Sequence, residues 1–228
     1  QEIQNIELKN IKLPPLLFSE HHLSHAASAF YPSPFETAVI LTLDGVGEWT
    51  TSSLALGKGN HIKVIKEIHF PHSLGLLYSA FTYYLGFKVN SGEYKIMGLA
   101  PYGEPKYTKL IKDKLNKIFE DGSYKLNLKY FSFHYGKTTI NKNFESLFGK
   151  KRKYNEKIRS LDEDMAASIQ EVFNEIFIKL AKKAKKLTGS ENLVIAGGVG
   201  LNCVANGKIV ENKIFKNVWV QAASGDAG

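Results

Sequence analysis

Residues 37–47 read Thr-Ala-Val-Ile-Leu-Thr-Leu-Asp-Gly-Val-Gly, and this stretch decides the fold. Ala38 to Leu43 is almost wholly apolar, the pattern of a central strand covered on both faces. Residues 49–56 and 61–70 are strand-like as well. Their links, Gly45-Val46-Gly47 and Gly57-Lys58-Gly59-Asn60, are short and glycine-containing, so the three runs predict an antiparallel meander. Asp44 leaves the first strand into a glycine turn, where a carboxylate beside open backbone N–H groups can hold a metal or face phosphates. The plainer alternative is an Asp-Gly hairpin turn.

Before that strand lies Glu20-His21-His22-Leu23-Ser24-His25-Ala26-Ala27-Ser28-Ala29-Phe30, with Pro32 and Pro34 placed to stop a helix. In a helix, His21 and His25 stand four residues apart on one face and both rings can reach one ion, while His22 points elsewhere. Imidazole is the commonest protein ligand for zinc and iron, although an isolated HxxxH also occurs without any ion. Leu16-Leu17-Phe18-Ser19 reads as a short buried strand feeding this helix.

After the meander, Leu74, Leu77, Tyr78, Phe81 and Leu85 keep helical spacing and predict a core helix over 74–85. Residues 90–104, NSGEYKIMGLAPYGE, combine three glycines with a single cation, Lys95, and read as a functional loop with a short helix. From Lys106 to about Arg159 the chain is rich in Lys, Asn and aromatics and reads as a variable insertion or peripheral lobe. His134 there is expected to be structural or exposed. Ser160 to Glu163 is read as a capping box opening the longest helix, which runs to about Leu187 and stops at Gly189.

Asn192 to Ala196 is a buried strand, turned by Gly197-Gly198-Val199-Gly200 into a helix beginning near Leu201-Asn202-Cys203. Such a turn exposes N–H groups at a positive helix end and can cradle a phosphate or nucleoside. It has neither GxGxxG nor a Walker lysine, which excludes Rossmann and P-loop readings. A last strand, 218–221, leads to Asp226, a second aspartate beside glycine after a strand.

Composition narrows the classes further. The 228 residues are 43% hydrophobic, ordinary for a folded core, and the one cysteine, Cys203, cannot form an internal disulfide. With no apolar run of membrane-spanning length and no signal-peptide pattern at Gln1, the expectation is a cytoplasmic protein without membrane partners. The formal charge is +8, but only two arginines, Arg152 and Arg159, are present, so nucleic acid is not the expected anion.

Five motifs in this order, HHLSHAASAFYPSPF, LTLDGVGEWTT, EYKIMGLAPYG, GGVGLNCVANGKI and GDAG, closely resemble NodU/CmcH-type O-carbamoyltransferases. The resemblance implies an α/β, actin-like ATPase fold (the ASKHA or ribonuclease H-like class), with mixed sheets flanked by helices around a nucleotide cleft. It implies a metal, Fe(II) or Zn(II), on His21, His25, Asp44 and Asp226, with Mg(II) a further candidate beside ATP. The family makes carbamoyl-adenylate from carbamoyl phosphate and ATP in a YrdC-like domain, and the actin-like domain passes the carbamoyl group to a hydroxyl of a small-molecule or sugar acceptor. Nucleotide contacts are expected at Gly197, Gly198, Asn202 and Asn206, with Gly45, Gly47 and Glu48 flanking phosphate. Lys95 is expected at a phosphate or carbamoyl oxygen, or else in a structural salt bridge. The catalytic set is thus His21, His25, Asp44 and Lys95. A homodimer is a further candidate assembly.

Residues 1–228 are expected to be a partial N-terminal domain, incomplete at both ends, with 105–159 variable and the YrdC-like half absent. The rival reading is a non-catalytic nucleotide- or metal-binding domain of a tRNA threonylcarbamoyl-type modification assembly.

Overall fold

The computed structural model describes residues 15–226. Helix α1 (His21–Phe30) is followed by strands β1 (Thr37–Gly47), β2 (Thr50–Lys58) and β3 (His61–His69), then α2 (Leu74–Tyr84) and α3 (Glu93–Leu99). A short α4 (Thr108–Leu110), the hairpin β4 (Asn116–Ile118) and β5 (Tyr124–Leu126), and α5 (Lys142–Phe148) come next. The chain closes with α6 (Ser160–Thr188), β6 (Asn192–Ala196), α7 (Cys203–Glu211) and β7 (Asn217–Val220).

The main sheet has the order β3-β2-β1-β6-β7. The meander is antiparallel as expected, with Leu41 opposite Leu54, whereas β6 runs parallel to β1 with Ile195 beside Leu41 and β7 runs parallel to β6. β1 is therefore central, and all residues from Ala38 to Leu43 are buried. On one face α1 packs through Ala26, Ala29 and Phe30 against Ala38, Ile40, Ala55 and Val194. The Phe30 ring lies so close to Gly57 that a Cβ there would be 2.7 Å from it. That close approach explains a glycine inside β2. The larger core fills the other face with α2 and α6, and includes Phe131, Phe144 and Phe148 from the aromatic-rich segment 106–159.

Tyr124 ties that segment to the sheet. Its buried hydroxyl accepts from the Leu74 N–H at 2.9 Å and hydrogen-bonds Ser52 Oγ at 2.9 Å. It thereby satisfies one of the backbone donors that the first turn of α2 leaves without a helical partner.

Three local expectations are corrected. Leu16, Leu17 and Phe18 are 71%, 87% and 89% exposed and form no strand, because among the described residues no strand pairs with them. β1 does not end at Asp44 but runs to Gly47, with its pairing to β2 irregular between Leu43 and Gly47. Asp44 thus sits in a bulge, which re-aims side chains, and the hairpin turns at Glu48, whose φ is 59°. At the start of α6 the capping residue is Arg159, not Ser160. The fully buried Asp162 carboxylate takes the Arg159 backbone N–H (2.8 Å) and its guanidinium (2.7 and 2.9 Å). These charge-assisted bonds are stronger than those a serine hydroxyl offers. The other end of α6 stops at Gly189, left-handed at φ 66°, as read from the sequence.

Candidate metal centre

The bulge in β1 and the first turns of α1 build one cluster. His21 Nε2 lies 2.9 Å from Asp44 Oδ2, His25 Nε2 lies 3.2 Å from the same oxygen, and the two Nε2 atoms are 3.0 Å apart. Asp226, on the turn after β7, brings Oδ1 to 3.1 Å from His25 Nε2 and 3.4 Å from His21 Nε2. The four donor atoms lie within 4.8 Å of one another, and they are the four that the sequence singles out. His25 and Asp44 are largely shielded from solvent, while Asp226 is 70% exposed and forms the open side.

The donor set fits a metal ion. Ligand atoms about 2.0–2.1 Å from a common centre are about 3.0–3.4 Å from each other, depending on coordination number. The His–His contact, the two His–Asp44 contacts and the two His–Asp226 contacts span 2.9–3.4 Å, five of the six donor pairs, and all four donors lie within 4.8 Å of one another. Two imidazole nitrogens facing each other and two carboxylates suit Fe(II) or Zn(II) by donor chemistry.

The charges of Asp44 and His25 follow from the same contacts. Burial alone would raise Asp44, but hydrogen bonds from His25, His21 and the Gly45 N–H (2.7 Å) hold its carboxyl well below the usual range. It is therefore ionised. The hydrogen bond to Asp44 raises His25 above its ordinary value despite partial burial. His22, in contrast, is pushed down to about 4 by burial and stays neutral. Its Nδ1 contacts Ser53 Oγ at 3.2 Å and its ring packs behind the cluster.

The glycines read as phosphate contacts have distinct placements. A Cβ on Gly47 would lie 2.2 Å from the His21 ring and 2.9 Å from that of His22, so this position is small in order to seat the histidines. Gly45 gives its N–H to Asp44, and Glu48 is exposed at the hairpin tip. Gly197, at φ 87°, leaves no room for a Cβ, which would be 2.2 Å from the Leu43 carbonyl oxygen. Gly198 lies beside Asp44, with a notional Cβ 3.2 Å from Oδ1. The strand-to-helix turn and the metal cluster are therefore one site.

Asn202 is buried and caps α7 by accepting from the Ala205 N–H at 3.0 Å, with a second bond to Gln170. Asn206 donates to the Gly200 carbonyl at 2.7 Å and leaves its buried Oδ1 without a protein partner among the described residues. Lys95 is not drawn to the cluster. Its ammonium sits 5.7 Å from the Phe87 ring centre and 6.0 Å from that of Tyr94. Two aromatic faces thus hold it, and it makes no ion pair among the described residues.

Two supports escape the sequence reading. Ser73 Oγ donates to the Gly45 carbonyl at 2.6 Å and caps α2, and Gly75 packs where a Cβ would be 2.7 Å from the Asp44 carbonyl oxygen. Ser73 before an apolar helical run is a recognisable cap. Gly75 has no local signal, because its neighbour is distant in the chain.

Residues 2–228 match the family model described as the carbamoyltransferase N-terminus. The chain belongs to this family. Among curated relatives, the carbamoyltransferase-family chain is 57% identical over 223 residues to an uncharacterized protein, sll1178, of Synechocystis, covering 97% of this chain and 36% of that protein. It is 36% identical over 211 residues to nodulation protein NolNO of Sinorhizobium fredii (92% and 29%). To nodulation protein NolO of Bradyrhizobium diazoefficiens it is 32% identical over 208 residues (91% and 36%). The chain spans about a third of the length of these relatives. The solved structure of HypF from T. kodakarensis superposes over 92% of this chain and 34% of its own, with 14% identity and a TM-score of 0.44. Among the described residues, no helix is long and apolar enough to cross a membrane.

Proposed function

We propose that this chain carries the metal- and nucleotide-binding part of an ATP-dependent O-carbamoyltransferase, which moves a carbamoyl group from carbamoyl-adenylate to a hydroxyl of a small-molecule or sugar acceptor. The observation that carries this reading is the convergence of His21, His25, Asp44 and Asp226 beside the Gly197-Gly198 turn. A three-strand meander continued by two parallel strands on the open edge of β1 supports the actin-like assignment.

In the reaction the acceptor oxygen forms a bond to the carbamoyl carbon, the bond from that carbon to the adenylate phosphate oxygen breaks, AMP leaves with the electron pair, and the hydroxyl proton is released. A bound Fe(II) or Zn(II) ion would supply Lewis-acid polarisation of an oxygen. His21, His25, Asp44 and Asp226 would hold it. Asp44 supplies an anionic donor fixed in direction by the Gly45 N–H. Gly198 keeps the space beside that carboxylate free of side chain. A phosphate or carbamoyl group can then approach backbone donors there. Neutral, buried His22 excludes water behind the ligand rings without adding charge.

Gly198→Val tests the nucleotide side of this reading. Calorimetric titration of ATP into the metal-loaded chain is expected to show affinity lowered by about tenfold or more, with little change in the thermal midpoint. A falling midpoint with unchanged ATP affinity would assign Gly198 to packing alone.

A further inference from the structure

Residues 137–159 contain eight lysines and arginines and two glutamates, so a net +6 of the chain's +8 lies in this one segment, outside the motifs that build the metal cluster. Against it lies a solvent-open cavity of about 400 Å³, lined by Tyr83, Tyr135, Asn141, Lys142, Glu145 and Lys151 among others. This volume is in the range of small-molecule sites.

The lining separates three kinds of contact. Lys142 and Lys151 have no ion pair among the described residues, so their ammonium groups are open to an anion. The Lys151 ammonium is held 3.7 Å from the centre of the Tyr83 ring. This contact fixes its position without neutralising it. The neighbouring Arg152 is not available, because it is 4% exposed and donates to the carbonyls of Leu85 (2.7 Å) and Glu156 (2.6 Å). Two free ammonium groups on one cavity wall can share a compact, multiply charged anion such as a phosphate, which lysine binds as a point charge without a guanidinium fork. Tyr135 is 70% exposed, offering a ring face, and its hydroxyl accepts from Asn141 Nδ2 at 3.4 Å, leaving the O–H proton to donate. Glu145 accepts the Lys151 backbone N–H at 3.2 Å and adds a carboxylate that repels a bare anion but accepts from ligand hydroxyls.

We propose that this cavity is a second binding site, for a small phosphorylated polyol or sugar, with the phosphate on Lys142 and Lys151, hydroxyls on Glu145 and the ring against Tyr135. Nothing in the site uses the four metal-cluster residues.

The test is calorimetric titration of the whole 228-residue chain with glucose 6-phosphate at low salt, in a chelator so that no metal can take the phosphate. Inorganic phosphate and glucose serve as comparison ligands. One-to-one binding of glucose 6-phosphate is expected, weakened about tenfold or more in Lys142→Gln/Lys151→Gln and by Tyr135→Ala, with the weak binding of inorganic phosphate insensitive to Tyr135→Ala. Lys142 is exposed and Lys151 half-buried, and thermal melting of each variant checks that the fold is kept. Absence of binding at millimolar ligand, or undiminished binding in the lysine variant, would overturn the proposal. Equal affinity for glucose would overturn the phosphate contact, and equal affinity for inorganic phosphate the polyol contacts.

Discussion

Asp44→Ala is expected to abolish stoichiometric metal retention while the chain still unfolds cooperatively. Asp44 reaches both ligand imidazoles from the strand side, at 2.9 and 3.2 Å, and it carries its charge because three donors hold it ionised. Its removal leaves two neutral donors and an exposed carboxylate, a set that loses the buried anionic ligand and holds an ion at least about a hundredfold more weakly, at the upper end of what ligand-orienting changes cost. The fold should survive, since β1 remains buried along Ala38–Leu43 and the bulge is still bonded through Ser73 to the Gly45 carbonyl. Elemental analysis of the purified variant, paired with thermal melting, checks this. Full metal occupancy in a folded Asp44→Ala chain would exclude a shared four-residue site.

Gly197→Val should be the most destabilising single change at the site. The backbone there has φ 87°, and a Cβ would stand 2.2 Å from the Leu43 carbonyl oxygen, within the sheet itself. Strain of this kind costs about 1–3 kcal/mol before steric overlap is counted, and overlap in a packed interior adds a similar amount. A loss of about 3 kcal/mol or more follows, which for a chain of this size lowers the thermal midpoint by roughly 6–12 °C. Scanning calorimetry measures it. Gly198→Ala, whose Cβ would meet only Asp44 Oδ1 at 3.2 Å, is the comparison and should melt close to the parent. Equal melting of the two variants would mean that the turn relaxes freely and that Gly197 does not fix it.

The features legible in the sequence are those with local signals. The apolar run 38–43, the proline stop after Phe30 and the glycine after Thr188 locate β1, α1 and the end of α6, and the structure places them there. The four cluster residues are legible because two share a helical face and two sit beside glycine just past an apolar strand-like run. What stays hidden depends on contacts distant in the chain. Leu16–Phe18 are exposed and pair with no strand among the described residues, and whether a partner strand is there is something an apolar run cannot report. The bulge at Asp44 is stabilised by Ser73 and Gly75, which lie on the far side of the meander. Arg159 takes the place of Ser160 as cap because Asp162 is buried, and burial is a tertiary fact. Gly47 also lies against the rings of His21 and His22, a contact its motif does not report.

The measurement that bears most directly on the central claim is the metal content of the purified wild-type chain combined with X-ray absorption at the metal edge. One transition-metal ion per chain, with imidazole nitrogens and carboxylate oxygens at about 2.0–2.2 Å, is the predicted result. A chain that retains no ion when supplied with Fe(II) or Zn(II), or an ion without imidazole in its coordination shell, would contradict the assignment of His21, His25, Asp44 and Asp226 to one centre.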